Sequence, residues 1–304
     1  MVRYVARRLV IMFVTLFVII TVTFFISKAL PGTPFADDKL TPQSREVLFA
    51  KYGLDQPLIV QYAKYMLQVA QGNLGDSFYF ESRPVTQIIL EQAPVSAFIG
   101  IQAVIMGLIP GLIFGVAAAL RHNSVIDYTA TAIAVAGISV PSFVLAPIMQ
   151  YWIGFKWGLL PIAFFDSWAH SIMPSVALAV FVVAIVARYI RSEMLEVLGQ
   201  DYVTLAKAKG LTYMAVVGKH VLRNSLIPLV TVLFPLVVGI VTGSIVIEQI
   251  FAIPGIGTLF VQSIQVNDYA TILGTTIFYS AFFILAFLVQ DILYAIIDPR
   301  IRVA

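Results

Sequence analysis

Long apolar runs, broken by short polar connections, dominate the chain. Six of them reach the length of about 20 residues that a membrane-crossing helix requires: Leu9–Leu30, Ser96–Leu120, Thr129–Ile153, Ile172–Ile190, Leu226–Ile250 and Leu273–Ile297. The pattern predicts an all-α integral membrane protein with six transmembrane helices. Arg3, Arg7 and Arg8 precede the first run, as in a signal peptide. The run is longer than an h-region of about 7–15 residues, and "LPGTP" follows it in place of a small-residue cleavage site. It is expected to be a retained anchor.

Two connections are long. The first, from Pro31 to Ala93, includes "TPQSREVLFAKYGLDQPLIVQYAKYMLQVA", which has helical spacing. Thr41 is placed to cap a first short helix, Pro42 to occupy its first turn and Gly53 to end it. Pro57 is placed to open a second helix, with Ile59, Tyr62, Ala63 and Met66 on one face. Two readings stay open for this region: a cover for the helix bundle, or a docking surface for an outside partner.

The second connection, residues 188–225, contains "DYVTLAKAKG". Asp201 suits a helix N-cap and Gly210 a C′ position, with Lys207 and Lys209 near the negative end of the helix dipole. The expected helix has about two to three turns, too short to be stable alone. Its face of Tyr202, Val203, Leu205 and Ala206 is modest for a lipid anchor and better suited to a shallow protein groove. Thr212 offers a second cap, and "RNSLIP" leads into the next span.

Composition supports the membrane assignment. The 304 residues are 60% hydrophobic and 12% charged, about half the charge of an ordinary globular domain. The absence of cysteine excludes thiol catalysis, disulfides and thiolate metal sites. His122, His170 and His220 lack metal-ligand spacing. The net charge of +3 does not suggest nucleic acid, because the basic residues lie beside apolar spans. With the N-terminus inside, Arg121, Arg188, Arg191, Lys207, Lys209, Lys219, Arg223, Arg300 and Arg302 all fall on the cytoplasmic side. Most of the opposing cations fall in the long outer loop, which translocates largely regardless of charge. Both termini are therefore expected to be cytoplasmic. The expected division is an N-terminal helix with a long extracytoplasmic loop over residues 1–95, then a five-helix core over 96–304 that includes the loop at 188–225.

Pro110, Gly111 and Gly115 interrupt the second run, Pro141 and Pro147 the third, and Pro235, Gly239 and Gly243 the fifth. They permit close helix packing or bending around a translocation path, where Pro141 is a candidate. Glu248, at the outer end of the fifth run, is a candidate for gating or substrate contact or a group that reaches interfacial water. Asp291 is expected to pair with a cation such as Arg300 or to meet water. Arg188 and Arg191 read most simply as topology anchors, also placed to touch a cytoplasmic partner or head groups.

The stretches "DYVTLAKAKGLT", "KHVLRNSLIPLVT", "VIEQIFAIPGIGTL", "NDYATILG" and "DILYAIIDPRIR", with "RYVARRLV", "LPGTP" and "GNLGDSF" before them, occur in one order from Arg3 to Arg302. In this the chain resembles binding-protein-dependent ABC importer permeases of the oligopeptide/dipeptide branch, B-type subunit. The segment "TLAKAKG" departs from the family's Glu-Ala-Ala opening, and "NDYA" replaces the more usual "RDYP", so no function is placed on Asn267 or Asp268.

The resemblance implies a type I importer permease fold in the cell membrane of a prokaryote. It further implies that Asp201, Tyr202, Ala206, Lys207, Ala208, Lys209 and Gly210 form a coupling helix that docks on a cytoplasmic ATPase. The implied partners are a second, C-type permease forming a heterodimer, two ABC ATPase subunits (D- and F-type), an extracytoplasmic peptide-binding protein and membrane lipid. ATP and Mg would be bound by the ATPase subunits, with no cofactor in this chain. The implied cargo is oligopeptides or dipeptides, moved by alternating access; relatives with nearly the same pattern carry nickel, glutathione or other small solutes.

Other classes fit less well. "MAVVGKH" holds Gly218-Lys219, but Tyr213 stands where a phosphate loop needs glycine and His220 where it needs Ser or Thr. A stand-alone secondary transporter or channel would place polar groups at mid-membrane within inverted repeats, and these span centres are almost free of charge. Neither H-E-x-x-H nor G-x-S-x-G occurs, so a membrane enzyme is not expected.

Overall fold

The computed structural model describes residues 2–29, 31 and 41–297. Among these the regular structure is helical: α1 (Val2–Ala29), α2 (Pro42–Lys51), α3 (Leu58–Ala70), α4 (Val85–Leu120), α5 (Val125–Ser139), α6 (Ser142–Met149), α7 (Ala169–Leu198), α8 (Asp201–Ala208), α9 (Tyr213–Val216), α10 (Arg223–Val241), α11 (Ile245–Ile250), α12 (Ile256–Gln265) and α13 (Tyr269–Ile297). A π turn continues α6 over Gln150–Lys156, and another joins α9 to α10 over Val217–Leu222. Most of "LPGTP", the tail "DPRIR" and the side chain of Asp291 lie outside the described residues.

Five segments are long and apolar enough to cross a membrane: Arg7–Ala29, Val85–Leu120, Ala169–Leu198, Tyr213–Ile250 and Tyr269–Gln290. The third predicted span is not one straight helix. It is α5 and the α6 segment, bent by 94° where they meet. Proline explains the break. Pro141 has no N–H to continue the ladder and pushes the residue before it out of the helical region. Val140 accordingly sits at φ −90°, ψ 112°, and Pro141 becomes the N-cap of α6.

The chain forms two compact units, Met1–Pro94 with Gly255–Leu285, and Val95–Pro254 with Ala286–Ala304. In the first, Ile20 and Phe24 of α1 pack with Tyr65 of α3 and with Leu273 and Ile277 of α13. The expected start and stop signals of α2 hold: Thr41 Oγ1 accepts from the Ser44 amide, Pro42 opens the helix, and Gly53 follows its end at φ +64°. The inward face of α3 differs from the expected one. Tyr62, Tyr65, Met66 and Val69 pack inward, whereas Ile59 and Ala63 are exposed. The same i, i+3, i+4, i+7 stripe is rotated so that two tyrosines, with more area to bury, face the core.

Asp268, to which the sequence assigned no role, is fully buried in this unit. It accepts hydrogen bonds from Ser77 Oγ (2.5 Å), the Phe78 amide (3.1 Å) and Thr271 Oγ1 (2.7 Å). One carboxylate thereby caps the start of α13 and fastens the turn after α3, a charge kept inside by being fully hydrogen-bonded.

In the second unit α7 is the hub. Gly107, Gly111 and Gly115 of α4 recur every fourth residue and put α4 backbone against it. A Cβ on Gly111 would lie 2.7 Å from Val186 Cβ, and one on Gly115 would lie 2.7 Å from the Ala187 carbonyl oxygen. On another side Ala134 of α5 meets Ala184 and Ala187. For Gly111 and Gly115 the packing alternative is therefore the one realised. Small residues let helices approach where lipid supplies no hydrophobic drive between them.

Candidate functional site

The two-turn helix of the 188–225 loop is too short to be stable alone and is held by its surroundings. Val182, Val186, Ile190 and Met194 descend α7 at intervals of four and merge into one cluster with Val203 and Ala206 of α8, Val216 and Val217 at the α9 junction, and Val221 and Leu229 beyond. Val203 is 0% exposed and Ala206 only 5%. The helix is thus rooted in the chain's own core by two small apolar residues three apart. The face expected to be continuous from Tyr202 to Ala206 is divided, with Val203 and Ala206 inward and Tyr202 and Leu205 outward.

The ends of α8 are defined. Gln200, not Asp201, is the N-cap, and among the described residues its side chain makes no capping hydrogen bond; Asp201 begins the helix. Its charge still complements the helix dipole in the first turn. At the other end Gly210 takes φ +76°. The Gly210 amide donates to the Lys207 carbonyl and the Leu211 amide to the Ala206 carbonyl, the paired bonds of a Schellman stop. Among the described residues, its chain neighbours apart, no atom lies within 4 Å of where a Gly210 Cβ would sit, so glycine answers to backbone conformation and not to crowding. Asp201, Tyr202, Lys207, Ala208, Lys209 and Gly210 are all exposed. With Leu205, Leu211, Tyr213 and Met214 they form a mixed basic and apolar surface. Tyr202 is also tied back, since Asn224 Nδ2 donates to its hydroxyl at 3.0 Å. As expected, Thr212 caps the next helix by accepting from the Ala215 amide.

Arg191 is more than an anchor. Its Nε donates to Asp127 Oδ1 at 2.5 Å and its Nη2 to Oδ2 at 2.9 Å, a two-pronged pair. Asp127 is 1% exposed. It also accepts from the Asn123 amide, and its Oδ2 lies 3.0 Å from His122 Nδ1. The pair clamps the first turn of α5 to α7, three residues before Met194 in the cluster that holds α8. Sequence reading missed Asp127. The available signal was "SVID", a Ser-x-x-Asp helix start; Ser124 does cap α5 by accepting from the Asp127 amide.

Glu248 lies on α11, 2% exposed, and accepts from Ser96 Oγ at 2.7 Å. The alternative in which it reaches interfacial water does not hold. Gly243, at φ +111°, passes so near that a Cβ there would fall 2.7 Å from Glu248 Oε1. Glu248 and Pro141 are thus each found where a helix is interrupted, Glu248 just after the break that ends α10 and Pro141 at the bend before α6. Among the described residues no group of three His, Cys, Asp or Glu is placed to hold a metal ion.

Comparison with known proteins follows the same lines. Residues 111–303 match the family model of binding-protein-dependent transport system inner membrane components, and residues 1–99 match the N-terminal model of that system's membrane components. The chain is 46% identical over 302 residues to the dipeptide transport system permease protein DppB of Lactococcus lactis, covering 99% of this chain and 100% of that one. It is 39% identical over 307 residues to the oligopeptide transport system permease protein OppB of Salmonella typhimurium, covering 99% of this chain and all of that one. A solved inward-facing structure of the MetNI methionine ABC transporter superposes with a TM-score of 0.58 at 20% identity, over 71% of this chain and 99% of that chain, a likeness of fold. This multi-pass membrane protein belongs to the family of binding-protein-dependent transport system inner membrane components.

Proposed function

We propose that the chain is the B-type permease of an ATP-driven importer that takes up dipeptides or oligopeptides handed over by an extracytoplasmic binding protein. The names of its full-length relatives, a dipeptide and an oligopeptide permease, support that cargo. The observation that carries the mechanism is the construction of α8. It is short, stopped by Gly210, rooted through Val203 and Ala206, and turns Tyr202, Leu205 and Lys209 outward.

Such a helix transmits force. A partner that grips its outer face moves it as a unit, because shearing α8 from Ile190, Met194 and Leu229 would open a packed core. The chain lacks a phosphate loop, so the energy comes from two ATPase subunits that bind ATP and Mg. A second, C-type permease completes the passage, since one six-span chain hardly encloses a peptide. The termini and α8 lie on the cytoplasmic side. Closure of the ATPase pair displaces α8 in both permeases and switches the spans between outward-open and inward-open states, with affinity for cargo falling as the path opens inward. Asp201, Tyr202, Lys207, Ala208, Lys209 and Gly210 belong to the contact, Ala206 supports it from within, and Glu248 and Pro141 stand at the interrupted helices that the switch would bend.

The test is uptake of labelled dipeptide into proteoliposomes that contain the permeases, the ATPases and the binding protein. Leu205→Glu is expected to abolish ATP-dependent uptake and ATPase co-purification, because a charge enters the apolar part of the contact. Full uptake by that variant would contradict the reading.

A further inference from the structure

The first compact unit contains a cavity of about 340 Å³ that the transport reading does not use. Lys28 at the end of α1, Lys51 at the end of α2 and Lys64 on α3 all line it, against one lining carboxylate, Asp76. None of the three lysines has a carboxylate partner among the described residues. Lys28 Nζ rests instead over the Tyr269 ring, 4.5 Å from its centroid. Tyr65 lines the same cavity and is 8% exposed, with its hydroxyl fully buried and without a hydrogen-bond partner among the described residues.

Three ammonium groups around one recess repel one another. An oxyanion relieves that repulsion. The volume falls in the range of small-ligand sites. The location indicates the source. Lys28 closes a helix long enough to cross a membrane, and its neighbours Phe25 and Ile26 are exposed apolar residues. The recess therefore opens at head-group level.

We infer that this cavity is a binding site for the phosphate of an anionic membrane phospholipid, held by Lys28, Lys51 and Lys64. The acyl chains run along the apolar surface of α1, and the occupied site fastens α1, α2 and α3 together. The site is independent of the nature of the cargo.

The test uses the purified full-length chain in detergent, with melting temperature and native mass spectrometry as readouts. The probes are phosphatidylglycerol, phosphatidylcholine and inorganic phosphate. Phosphatidylglycerol is expected to raise the melting temperature at roughly tenfold lower concentration than phosphatidylcholine, because binding to the folded state stabilises it, with one lipid retained per chain. The triple variant Lys28→Gln, Lys51→Gln, Lys64→Gln is expected to lose that preference, and Lys156→Gln, elsewhere, to keep it. Undiminished preference in the triple variant overturns the site. Saturation of the effect by inorganic phosphate alone overturns the assignment to lipid.

Discussion

Asp127 and Arg191 are joined by two hydrogen bonds, although the aspartate is almost fully buried and the arginine side chain is 29% exposed. The asymmetry decides which partner is harder to remove. Without Asp127, the arginine can still turn toward water. Without Arg191, a carboxylate stays buried with only His122, the Asn123 amide and Thr131 beside it. Arg191→Leu is therefore expected to cost about 3–5 kcal/mol and Asp127→Asn clearly less. The double variant should cost less than the sum. Thermal melting of the four proteins in detergent measures the coupling, and additive costs would remove the pair from the account.

The contact of α4 with α7 predicts opposite outcomes at two kinds of glycine. Gly111→Leu must displace Val186, and overpacking of this kind costs about 1–3 kcal/mol or more. At Gly239 of α10 nothing among the described residues, its own helix turn apart, lies within 4 Å of an added Cβ. Gly239→Ala is expected to be neutral or to gain up to about 1 kcal/mol from helix propensity. Equal melting temperatures for the two variants would contradict the packing described.

Gly210 tests conformation apart from bulk. Alanine there meets no atom but must adopt a left-handed backbone, at about 1–2 kcal/mol. Asparagine visits that region more readily. Peptide uptake is expected to fall in the order glycine, asparagine, alanine, as the stop of α8 frays. An alanine variant as active as the parent, or less impaired than asparagine, would show that the stop is dispensable.

Ser96→Ala takes a hydrogen-bond donor from buried Glu248, a loss of about 1–3 kcal/mol. If Glu248 matters mainly for folding, Glu248→Gln should recover melting temperature and uptake together. If it serves the switch, Glu248→Gln should melt normally and transport poorly. The split between the two measurements assigns its role.

Much of this was legible from local patterns. Apolar runs located the spans because a bilayer demands length and composition. Thr41, Gly53, Gly210 and Thr212 marked helix ends because capping is a short-range effect. What remained hidden depends on contacts distant in sequence. Asp127 and Arg191 are far apart along the chain, as are Ser77 and Asp268, so nothing local announced either pairing. The division of α8 into a rooted face and an outward face required knowing where α7 and α10 lie. The turned face of α3 had the same cause: its apolar positions allow more than one stripe, and packing against α1 and α13 chose between them. The bend at Pro141 was written in the sequence, but proline in a membrane helix is also tolerated without a break.

The central claim is that a partner ATPase grips the outer face of α8. The chain has no cysteine, so Leu205→Cys introduces a unique thiol at an exposed position of that face. In the assembled transporter, a short thiol-to-amine cross-linker at residue 205 should capture the ATPase subunit, with a yield that changes when ATP is bound. Uptake with no such capture, with or without nucleotide, would contradict it.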